Sequence, residues 1–163
     1  MTVLTLIHVV ISLIGIASGF VVLFGLLTGK TLDGWTGLFL TSAVATSVTG
    51  FLLPFHRFMP SHVIGILSLL GLAVAVVARY PSNLVGAWRW IYVLSALSAF
   101  YLNFFVLVAQ AFAKVPALKV MAPTESEPPF LISEFIVMAL FIVLSIAAIK
   151  RFRVESSGAI HAV

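Results

Sequence analysis

Two histidines open similar strings in this chain: His8 begins HVVISLIGIASG and His62 begins HVIGILSLLGLA. A pair of imidazoles on neighbouring helices can ligate a haem iron or another metal, hydrogen-bond a quinone head, or relay protons. The same residues can also be plain interfacial histidines that face headgroups and water. The stretch FLLPFHRFMPSH, residues 51–62, adds His56 and Arg57 between Pro54 and Pro60. Glu134 lies about five residues into an apolar run, where a carboxylate is costly unless it is near the membrane edge, paired or protonated. Arg57 or a histidinium is the nearest kind of partner for it in the sequence. Asn103 and Gln110 stand seven apart and so share a helical face. Their simplest role is interhelical hydrogen bonding.

The chemistry on offer has limits. The chain has no cysteine, which removes disulfides, thiolate nucleophiles and sulfur metal ligands, so haem or metal would depend on histidine or carboxylate. No Walker loop, HExxH, GxSxG or CxxC is present, so no catalytic residue and no dedicated metal site is assigned.

What must position these residues is a set of membrane helices. Of 163 residues, 62% are hydrophobic and 9% charged. Soluble domains carry about a quarter charged residues, and a soluble fold of this size could not hide so much apolar surface. Lipid is therefore the solvent, and the fold class is all-α: a polytopic bundle of five transmembrane helices. The spans are read at residues 3–27, 35–53, 62–77, 88–113 and 130–149, the first four forming two hairpins. Residues 1–153 make one transmembrane domain and 154–163 a polar tail. The first apolar run has no Lys/Arg stretch before it and is too long for a signal h-region, so it is expected to stay as an anchor.

Within the spans, Gly15 and Gly19 form a GxxxG step, and Ser42, Thr46 and Gly50 recur every four residues; both suit close helix packing. The two strings that open at His8 and His62 are each followed by a Leu-x-Gly link and a Trp, which suggests a 2+2 repeat. Helix direction then brings His8, His56, Arg57, His62, Gln110 and Glu134 to one face. The basic residues flank spans instead of forming a stripe, which argues against nucleic acid as a partner. Arg57, Lys114 and Lys119 fall on the N-terminal side, and Lys30, Arg79, Arg89, Lys150, Arg151 and Arg153 on the other. The excess marks the cytoplasm, so the N-terminus is expected outside and the C-terminus inside.

The strings TSVTGFLLPFHRFMPSHVIGILSLL and GAWRWIYVLSALSAFYLNFFVLVAQAFAKVPAL, the latter followed by APTESEPPF, resemble a group of small multi-pass membrane proteins of Gram-negative bacteria. The likeness covers nearly the whole chain up to the last helix. It implies an inner-membrane location and carries no activity or site residues with it. Two functional expectations follow from the residues. One is a redox or proton-handling membrane subunit using His8, His62 and Glu134, with haem or quinone as its cofactor. The other is a non-catalytic assembly partner of another membrane protein, or a homo-oligomer, meeting it through the polar segment 115–127.

Overall fold

The structure, a computed structural model, describes residues 3–53 and 60–152. His56, Arg57 and the tail at 154–163 lie outside the described residues. Six helices are present among those described: α1 (Val3–Leu27), α2 (Asp33–Leu52), α3 (Pro60–Arg79), α4 (Trp88–Lys114), α5 (Pro116–Met121) and α6 (Pro128–Arg151). All but α5 are long and apolar enough to cross a membrane. The five expected spans are therefore present, with ends within about two residues of those read from sequence.

Proline marks three helix starts. Pro60 opens α3, Pro116 opens α5, and Pro128 and Pro129 open α6. A first-turn N–H has no intrahelical acceptor, so proline loses nothing there. The segment 115–127, read from sequence as a polar segment for meeting a partner, contains α5. Its remainder is organised by Glu127, whose carboxylate accepts the Thr124 hydroxyl at 2.8 Å and the Ser126 N–H at 3.1 Å.

The first four helices form a ring. The hairpin partners α1–α2 and α3–α4 pack most extensively, α2 joins α3, and α1 closes onto α4. Helices α1 and α3 thus pack on their neighbours and face each other across the ring. Helix α6 lies outside it, against α4 and to a lesser degree α1.

Lipid tails are as apolar as leucine, so close packing more than expulsion from water must hold such a ring together. The GxxxG step of α1 shows how. A Cβ on Gly15 would lie 3.2 Å from Ser42 Oγ of α2, while one on Gly19 would lie 2.7 Å from the Phe100 ring of α4. The two glycines thus admit two different helices. Phe100 is completely buried, and its ring meets Phe20, Phe39 and Phe141 edge-on at centroid distances of 5.1, 5.8 and 5.2 Å. One aromatic side chain therefore joins α1, α2, α4 and α6.

The end of the bundle away from His8 is closed by two arginines. Arg79, 8% exposed, pairs with Asp33 and lies over the Tyr92 ring, 5.4 Å from its centroid. Arg89 donates to the carbonyl of Phe152, just past the last turn of α6, where a cation also complements the helix dipole. In the α3–α4 link, Asn83, Leu84 and Gly86 all have positive φ. That conformation strains a leucine, and Leu84 is held in it by burial in the core.

Candidate functional site

A cavity of about 430 Å³ lies inside the ring, toward the end that holds the start of α1. All four ring helices line it. His8 and Ser12 come from α1, Thr46, Ser47 and Gly50 from α2, His62 and Ser68 from α3, and Asn103, Gln110 and Lys114 from α4. Apolar wall is supplied by residues such as Ile16, Phe51, Val106 and Leu107. The described lining contains no carboxylate.

The lining follows from helical spacing. On α4, residues 103, 106, 107, 110 and 114 recur at intervals of three and four, which makes one face of the helix. From Asn103 to Lys114, and from Thr5 to Ile16 on α1, is eleven residues, roughly 16 Å at about 1.5 Å each. The cavity therefore reaches about halfway through a hydrocarbon core of about 30 Å. Its ionisable groups, His8, His62 and Lys114, all belong to the helix ends at one side of the bundle, with exposed Gln110 and Lys114 at its rim.

His8 is half-buried and oriented. Its Nδ1 is 2.8 Å from Thr49 Oγ1, and that hydroxyl in turn lies 2.7 Å from the Ala45 carbonyl, to which it donates. With its proton so directed, the Thr49 oxygen accepts from His8 Nδ1–H, which leaves the lone pair on Nε2. Gly50 lies beside the ring: a Cβ there would be in ordinary van der Waals contact with His8 Cε1, at 3.5 Å. His62 is buried and packs on the Phe51 ring with centroids 5.7 Å apart. Phe51 itself lies against Gly65, one turn further along α3.

Deeper in, Ser47 donates to Ser68 at 3.3 Å and ties α2 to α3. Asn103 does not behave as the simple interhelical hydrogen-bonder expected of it. Its Nδ2 is buried with no partner among the described residues, and Thr46 Oγ1 is in the same condition. Buried polar atoms are nearly always paired, and both of these exceptions belong to residues of the cavity lining.

The six polar residues expected at one face divide into three groups. His8, His62 and Gln110 line the cavity together, and His56 and Arg57 lie outside the described residues. Glu134 is not in the lining. It is 7% exposed on the inner face of α6, with neither carboxylate oxygen paired among the described residues. The reason is that α4 has two working faces. Tyr101, Phe104, Phe105 and Phe112 form an aromatic stripe toward α6, meeting Phe130 and Phe141, and Glu134 lies on the same α6 face as those two. Residues 103, 107 and 110 turn instead into the ring. Two further participants were not singled out from sequence. Lys114 looked like a helix-end cation, and Thr49 like one of many small polar residues; its position three before the end of α2 gives no hint of His8.

Replacing Glu134 with Met is expected to raise the thermal stability of the purified protein, by about 1–3 kcal/mol, because an unpaired buried carboxyl costs that much and methionine fits an aromatic cleft. A drop in melting temperature would show that the acid makes an essential contact at this interface.

The fold and the site together define a small multi-pass helical membrane protein with a largely apolar cavity between its helices that carries a few polar groups. No family model, curated protein or solved structure matches the chain.

Proposed function

We propose that this protein binds a membrane-soluble molecule of the quinone class in the ring cavity, and that His8 and His62 handle the protons of its head. The observation that carries this reading is the presence of both histidines, with Asn103 and Gln110, around one cavity of about 430 Å³. That size is within the range of small-molecule sites, which combine apolar walls with a few placed polar groups. The amide N–H groups of Gln110, exposed at the rim, can donate to a quinone carbonyl. His8 Nε2 can accept from a quinol hydroxyl. Reduction of a quinone takes up two protons, and two imidazoles in the cavity wall are suited to pass them; the electrons come from a redox partner in the same membrane. Location in the inner membrane of a Gram-negative cell, with the N-terminus and the cavity on the outer side, is part of the same proposal. The orientation is supported by the excess of cations on the opposite side.

Organic extraction of detergent-purified protein should release a quinone in near-stoichiometric amount, and the protein should show no Soret band. Extracts free of quinone would overturn the reading. A Soret band lost in His8→Ala and His62→Ala would replace it with haem held by the same two residues.

A further inference from the structure

We infer that α5 lies in the headgroup layer of the membrane, with Val120 and Met121 turned to the acyl boundary and Lys119 to lipid phosphate. Helix α4 ends at Lys114, and the chain breaks at Val115, whose backbone is extended, before Pro116 starts α5. Leu118 packs beside the small cluster of Phe112, Ala122 and Phe130, which fixes α5 against the ends of α4 and α6. On the other side, Val120 is 83% exposed and Met121 54%. At about 100° per residue, Ala117, Val120 and Met121 share one arc of roughly 100°, and Lys119 falls outside it. This is a short apolar face beside a cation, the arrangement of a helix that rests on a membrane.

Continuity with two spans selects lipid as the occupant of that face. Helix α5 is separated from Lys114 by one residue and from the start of α6 by six. It is itself only roughly 9 Å long, so it remains at the level where the spans leave the bilayer. Between Lys114 and Ala122 the sequence holds two lysines and no acid, which matches the phosphates of the headgroup layer. A partner protein, the occupant expected from the sequence, would need this face lifted clear of the lipid.

The chain has no cysteine, so single-cysteine variants report one position each. Val120→Cys and Ser126→Cys, each carrying a small environment-sensitive fluorophore, would be reconstituted at low density in vesicles of phosphatidylcholine and phosphatidylglycerol. Ser126 is exposed in the same link and serves as the aqueous control. Quenching by lipid with a spin label on its acyl chain should be several-fold stronger at position 120 than at 126, and quenching by aqueous iodide several-fold weaker. Equal iodide quenching at the two positions would overturn the inference. Protection of position 120 from both quenchers would also overturn it, and would assign the face to a protein contact between copies.

Discussion

Truncating Phe100 to alanine is expected to cost about 3 kcal/mol of stability, at the lower end of the 3–5 kcal/mol seen for buried phenylalanines. The lower end applies because lipid or detergent, not water, competes for the apolar surface. The effect is large because one ring fills the junction of four helices. Its edges and faces meet Phe20, Phe39 and Phe141, and it is seated in the notch left by Gly19. No neighbour can collapse into the space without moving a helix, so most of the cavity persists. Phe24, 67% exposed and turned away from the core, is the control; Phe24→Ala should change stability by less than about 0.5 kcal/mol. The check is reversible unfolding of the two variants and the parent in mixed micelles. Similar losses for both would mean that the aromatic junction does not organise the bundle.

That junction also shows how far the sequence could be read. The spans were legible because a run of twenty apolar residues has few alternatives in a cell, and because proline is excluded from their interiors. The GxxxG step was legible as a packing feature, but not its division between Ser42 of α2 and Phe100 of α4. That depends on how the helices are arranged about one another, and helix periodicity does not encode it. The same missing information explains Glu134. Sequence places it at the same end of the bundle as His8 and His62, which is a statement about depth. Its azimuth is decided by α6 packing on the aromatic stripe of α4, outside the ring. Asn103 and Gln110 were assigned to one face correctly because both lie on a single helix, where spacing alone fixes direction. Lys114 shares that face at the next turn, yet a lysine at a helix end reads as a flank. Helix α5 was missed because six residues are too few for periodicity to register.

The second large effect concerns the cavity. Replacing His8 or His62 with alanine is expected to weaken quinone binding about tenfold each, the loss of roughly one good hydrogen bond or about 1.4 kcal/mol. His8 is held by Thr49 in the tautomer that offers Nε2, and His62 is fixed against Phe51, so neither side chain needs to be reorganised on binding. Gly50→Leu should be more severe. A Cβ at that position would already touch His8 Cε1, at 3.5 Å, and because Gly50 lines the cavity the rest of a branched side chain would take up space meant for the ligand. Glu134→Gln should leave binding unchanged, because that residue faces the α4–α6 interface.

Equilibrium binding of a short-tailed quinone to the parent and to His8→Ala, His62→Ala and Glu134→Gln, all in the same detergent, tests the shared cavity most directly. The expected pattern is measurable affinity in the parent, about tenfold weaker binding in each histidine variant, and parental affinity in Glu134→Gln. Binding that is indifferent to both histidines, or that falls as far with Glu134→Gln, would contradict a site built from His8 and His62 inside the four-helix ring.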